Sequence, residues 1–144
     1  LLGDGGAELS ALQAEFSELC DSQSQRPVLA QMAAVVLERL GEWRELTAEV
    51  IAMSQRDVQE IGASSVDFLQ YSAYVLLAGF WLQAAARAQD ALDAESGEAA
   101  FYQAKLHSAD FYLRRILPRA SAHREALLGG ADCLMAMPES SFAF

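Results

Sequence analysis

A chain of 144 residues and 15.6 kDa, 53% hydrophobic and 21% charged, is one domain with enough length to bury a core, and lies outside the disordered class. Twenty acidic residues against ten basic ones leave a net charge of −10. That excess opposes binding to nucleic acid or to an anionic membrane surface, and it speaks against a polyphosphate site built by this chain alone.

The first helix is expected from about Ala7 to Asp21, with Asp4 as its cap and Glu8 placed favourably at the positive end of the helix. Leu9, Leu12, Phe16 and Leu19 mark its buried face. A polar break at Asp21-Ser-Gln-Ser-Gln follows, and Pro27 suits the opening turn of a second helix. Its stripe reads Leu29, Met32, Val36, Leu40, Trp43, Leu46, Val50, Met53, continuing through Val58 and Ile61 to a stop at Gly62. Gly41 interrupts that helix, and Glu38, Glu42, Glu45 and Glu49 with Arg39 and Arg44 read as its solvated face.

Ser64-Ser-Val-Asp67 has the capping-box pattern and predicts the start of a third helix that ends near Asp93. This helix contains the most apolar stretch of the chain, Phe68 to Ala88, with no charge before Arg87. Gln70, Ser72 and Gln83 interrupt the stretch, and its longest unbroken apolar run is only Ala73 to Leu82. It therefore reads as the buried member of a bundle rather than a membrane span. Gly79 and the alanines around it allow close approach of a neighbouring helix.

After the break Asp93-Ala-Glu-Ser-Gly97, Ser96 is expected to cap a fourth helix. That helix carries Tyr102, Leu106, Ala109, Leu113, Ile116, Ala120 and Leu127 on one stripe. Pro118 kinks it by depriving the carbonyl four residues earlier of a donor, and Gly129-Gly130 ends it. The fold expected is all-α: an up-down antiparallel four-helix bundle with a kinked last helix and an apolar C-terminal tail.

Motifs of catalysis are missing. The chain has no Glu-x-x-His, P-loop, GxSxG, GxGxxG or HExxH, so neither a di-iron bundle nor a familiar hydrolase or nucleotide site is indicated. His107 and Asp110 share a face but make only two ligands, and a local ion pair or hydrogen bond is expected there. His123 continues the apolar stripe as a hydrogen-bonded interface histidine. Arg114, Arg115, Arg119 and Arg124 are either a docking patch for an anion or acidic partner, or charges that complement the helix dipole and neighbouring acids; the second is favoured. Cys20 and Cys133 are too far apart for a CxxC site and are expected as isolated core thiols. No catalytic, cofactor-binding or metal-binding residue is assigned. The candidate docking surface is the tail, with Leu134, Met135, Met137, Phe142 and Phe144.

The residues Phe101-Tyr-Gln-Ala-Lys-Leu-His-Ser-Ala-Asp-Phe-Tyr, then Ile116-Leu-Pro-Arg, then Gly130-Ala-Asp-Cys-Leu-Met-Ala-Met-Pro-Glu resemble the C-terminal helical domain of a subset of bacterial acyl-CoA dehydrogenases. The resemblance runs from about Val66 to Phe142. It departs from the family pattern at Cys133, where Ser is usual, and Met137, where Leu is usual. It implies a parent flavoenzyme that uses FAD to oxidise an acyl-CoA thioester to its 2,3-enoyl form. The catalytic glutamate and the FAD contacts lie in a main body that these residues do not include. The implied role is a non-catalytic domain that docks on the dehydrogenase core, of the same polypeptide or a second subunit, and supports a homo-oligomer. No signal peptide is visible at Leu1 to Gly6 and the chain opens without Met, so a cytoplasmic fragment of a larger protein, or an engineered start, is expected. Two other readings stand beside it: a stand-alone helical adaptor or dimerisation module, and a bundle with an internal pocket for an acyl chain.

Overall fold

The three- and four-residue spacing of apolar side chains folds as helix throughout. A computed structural model describes residue 3 and residues 5–142, and of Met135 the backbone alone. Helix α1 spans Ala7–Gln23, α2 Ala30–Arg56, α3 Gln59–Asp93 and α4 Ala99–Phe111. A π turn at Tyr112–Ile116 and a 3-10 turn at Leu117–Arg119 lead into α5, Ala120–Leu128. The tail holds a short α6, Asp132–Met135, and a 3-10 turn, Glu139–Phe142; among the described residues there is no strand.

Neighbouring helices run in opposite directions, as their cross-contacts show. Arg44 on α2 reaches back to the Gln13 carbonyl and the Ser17 hydroxyl on α1. Trp43 Nε1 donates to Ser72 Oγ at 2.8 Å, and Arg26, just before α2, bridges to Asp90 and Asp93 at the far end of α3. Tyr112 donates to the Tyr74 carbonyl at 2.9 Å, while His123 meets Asp67 further along. The expected up-down bundle is the fold found, with α4 and α5 as the two halves of the kinked last helix.

The core follows the stripes. Val36, Leu40, Trp43, Leu46, Val50 and Met53 of α2 pack on Tyr71, Val75, Ala78 and Leu82 of α3, with Phe16 and Cys20 of α1 on one side and Leu113, Leu117, Ala120 and Leu127 on the other. Leu29, Ala85, Ala86, Ala88, Leu106 and Ala109 form a second cluster at one end. Full burial of each large side chain is worth about 1.5–3 kcal/mol, so this surface drives folding. At Gly79, Phe16 of α1 approaches α3 closely: a Cβ added there would lie 2.7 Å from the Phe16 ring.

Several expected boundaries move. The second helix does not run to Gly62. It stops at Arg56, and α3 begins at Gln59, with the Asp57 carboxylate accepting from the Gln59 N–H at 2.9 Å. Asp57 therefore caps α3. Gly62 lies inside it, and Ser64, buried, donates to the Glu60 carbonyl instead of opening a capping box. Nor does Ser96 cap α4: its hydroxyl donates to the Ala91 carbonyl and finishes α3, where Glu95 takes φ 52°. Asp4, the expected cap of α1, lies outside the described residues.

Pro118 acts as expected, with a consequence at longer range. Without an N–H at 118 the ladder slips, and the Leu117 N–H reaches the Tyr112 carbonyl, five residues back. The wider π turn rotates the chain at the place where Tyr112 and Leu113 are buried against α2 and α3.

Candidate functional site

The polar residues that looked most able to do chemistry are engaged in holding the bundle. Glu42, read as solvated, instead accepts from both the Tyr71 hydroxyl and Arg39 Nη1 through one oxygen, Oε2, each at 2.7 Å. Burial alone would raise the pKa of Glu42, but those two hydrogen bonds and the nearby Arg39 and Arg124 charges hold it below the usual carboxylate range. Burial, with the Glu42 carboxylate beside it, raises the Tyr71 phenol strongly, and burial carries Tyr112 up to about 12. Glu60 Oε2 accepts from the Ala131 N–H at 3.0 Å, tying the root of the tail to the first turn of α3.

His123 is the hydrogen-bonded interface histidine expected. Its Nδ1 lies 2.9 Å from Asp67 Oδ1, and its ring stacks on Tyr74 with centroids 5.8 Å apart. His107 is exposed, and Asp110 pairs with Arg114 at 2.7 Å. Of the arginine cluster, Arg114 is thus neutralised within its own helix and Arg124 lies near Glu42, while Arg115 and Arg119 are exposed. Among the described residues no three His, Cys, Asp or Glu side chains gather to hold a metal. Cys20 is a buried core thiol, raised to about 11 first by burial. Cys133 is exposed on α6, contrary to the expectation, because the tail stands away from the core.

What remains is apolar surface. In the tail, Leu134, Met137 and Phe142 are exposed; the Met135 side chain and Phe144 lie outside the described residues. A larger face was missed by sequence reasoning. Helix α3 is not covered all round: Val66, Leu69, Leu77 and Phe80 are exposed, with Ala73 and Ala84 in the same row. Their spacings of three and four put all six on one stripe along α3. Beside its C-terminal half, Trp81 and Lys105 help to floor a shallow depression with Leu77, Phe80 and Ala84. On the other side of Trp81, an open hollow is walled by Phe111, Tyr112 and Ile116. A further groove of about 430 Å³ lies between α1, α2 and the start of α3, walled by Leu9, Trp43, Val50, Ile61, Phe68 and Leu69. It opens to the surface, unlike the internal acyl pocket weighed above. The signal for the α3 stripe was in the sequence: a helix apolar on every side, with only three partners to cover it.

No helix among the described residues is long and apolar enough to cross a membrane. Compared with known proteins, residues 12–138 match the family described as acetyl-CoA dehydrogenase C-terminal like. The chain is also 28% identical, over 151 aligned residues, to the broad-specificity linear acyl-CoA dehydrogenase FadE5 of Mycobacterium tuberculosis; the match covers 99% of this chain and 24% of that protein. The chain thus spans about a quarter of the length of this relative. The chain folds as a helical bundle, the family match runs from α1 into the tail, and the chain belongs to the acetyl-CoA dehydrogenase C-terminal-like family.

Proposed function

We propose that this chain is the non-catalytic C-terminal helical domain of an FAD-dependent acyl-CoA dehydrogenase in the cytoplasm, and that it supports docking on the dehydrogenase core and assembly of a homo-oligomer. The observation that carries this reading is the pairing of its part-buried ionisable groups. Glu42, Tyr71, Glu60, Asp67 and His123 are all spent on contacts between helices, while the exposed, largely charged surface carries apolar side chains along α3 and in the tail. Such a surface suits packing against protein, not turnover. FAD and the acyl-CoA would be held by the core, and this domain would contribute through its tail side chains Leu134, Met135, Met137, Phe142 and Phe144. The similarity to FadE5, named as an acyl-CoA dehydrogenase, supports the activity of the parent.

The test is made on the native gene product. It is expected to be a flavoprotein several times longer than this chain that reduces an electron acceptor with acyl-CoA. Phe142→Asp, at an exposed position, should loosen the oligomer in sedimentation with the flavin still bound. A native product limited to this bundle, without flavin, would establish the stand-alone adaptor instead.

A further inference from the structure

The acidic residues of the chain are unevenly placed. From residue 68 to residue 89 there is no carboxylate, although the chain holds twenty acids, and the only charge there is Arg87. Residues 99–124 carry five cations, Lys105, Arg114, Arg115, Arg119 and Arg124, against the single acid Asp110. From Leu69 to Ala84 the α3 stripe lies in the first of these regions, and Lys105 of the second stands beside it. Lys105 stands at the depression floored by Leu77, Phe80 and Trp81, with its Nζ 5.0 Å from the Phe101 ring centroid. Phe101 and Phe111, both exposed, extend the apolar surface across α4. At 1.5 Å per residue, the stripe from Val66 to Ala84 is about 27 Å long, enough for a helix or a helix pair to lie along it.

From this we infer that the α3 stripe, with the exposed aromatic side chains of α4, is the seat of the dehydrogenase body: an apolar protein surface rimmed by carboxylates that face Arg87 and Lys105. The inference rests on the reading that this chain is the C-terminal domain of a longer flavoenzyme, and it adds, beside the tail, a second face that meets that body and the charge it meets there. Three observations favour this occupant. In FadE5 the matched stretch is 24% of the protein, so most of such a polypeptide is other chain, tethered to this domain at high effective concentration. The stripe runs about 27 Å along one continuous helix. It is also free of the carboxylates that elsewhere give this chain its −10 charge, so an acid-rimmed partner meets no like charge on it.

Hydroxyl-radical footprinting of the flavoprotein, compared with the 144-residue chain alone, tests it. Phe80 is 48% exposed and Leu77 47%, so entry into an interface core should cut their labelling about fivefold, with Phe111 following. Leu77→Glu with Phe80→Glu, both at exposed positions, should leave the helicity of the isolated chain unchanged and restore labelling of Phe111 in the flavoprotein. Protection of Leu134 and Phe142 with the stripe still fully labelled would overturn this face while leaving the C-terminal-domain reading intact. Equal labelling everywhere in the two forms would overturn both. Protection of the stripe in the isolated chain that grows with concentration would assign the face to a second copy, and overturn the inference.

Discussion

Gly41 and Gly79 offer the same substitution in two environments, and the structure predicts a gain in stability at the first and none at the second. At Gly41 an added Cβ meets nothing within 4 Å. Gly41→Ala should therefore raise stability by about 1 kcal/mol through helix propensity and a less free unfolded chain. At Gly79 the same methyl would lie 2.7–2.8 Å from three atoms of the Phe16 ring. That ring is 5% exposed and meets Phe80 edge-on at 5.5 Å, so it has no open space to retreat into. Overpacking costs about 1–3 kcal/mol. Set against the same 1 kcal/mol gain, Gly79→Ala should lie between neutral and about 2 kcal/mol less stable. The two variants should then differ by about 1–3 kcal/mol in urea unfolding followed by circular dichroism, or several degrees in Tm. In a Phe16→Ala background, itself costing about 3–5 kcal/mol, Gly79→Ala should turn stabilising, since the obstacle is gone. Equal stabilisation by both glycine substitutions, or no coupling to Phe16, would refute the close approach of α1 and α3.

The two thiols should separate cleanly: a thiol reagent at neutral pH should modify exposed Cys133 at once and buried Cys20, raised to about 11, only on unfolding. Equal rates would contradict that placement. Glu42→Gln should flatten the loss of stability in acid, because a carboxylate held below its ordinary value of 4.5 stabilises the fold above that pH and ceases to as pH falls through its folded value. Tyr71→Phe should do the same in alkali, where a phenol raised above 10.0 keeps its proton in the fold and its contribution fades as pH climbs past 10.0; unchanged pH slopes in denaturant titrations would count against the Glu42–Tyr71 bond. Glu60→Ala leaves the N–H of buried Ala131 without its partner and should cost about 1–2 kcal/mol, a value that unfolding by urea can reject.

The helices and their buried faces were legible because a stripe such as Leu40, Trp43, Leu46, Val50 is written at helical period. Their ends were less so, since capping residues are common and only tertiary structure decides which one is used. Ser64 and Asp67 have the form of a capping box, yet Asp57 takes that role, because Ser64 is wanted in the core and Asp67 by His123. Ser96 shows the same ambiguity, as a hydroxyl in a break can finish one helix as readily as start the next. The exposed stripe of α3 was hidden for another reason. Composition tells that a helix is apolar on all sides, but not how many sides its neighbours reach. The tail was recognised as apolar, and its exposed Leu134, Met137 and Phe142 agree with that, while its docking role is a matter for the interface experiments.

Among the described residues, helix α3 is also the only long member common to both arms of the bundle. α1 leans on α2, α2 leans on α3, and α4 and α5 lie along α3 from the other side, with few direct contacts between the arms. The molecule is mechanically two hairpins sharing one rod. A load applied to either arm must pass through that rod to reach the other, and a cut in its middle would leave two helical fragments each lacking half of its wall. A surface that lies along α3 therefore grips both arms at once, and can hold the whole domain in place without touching α1 or α5.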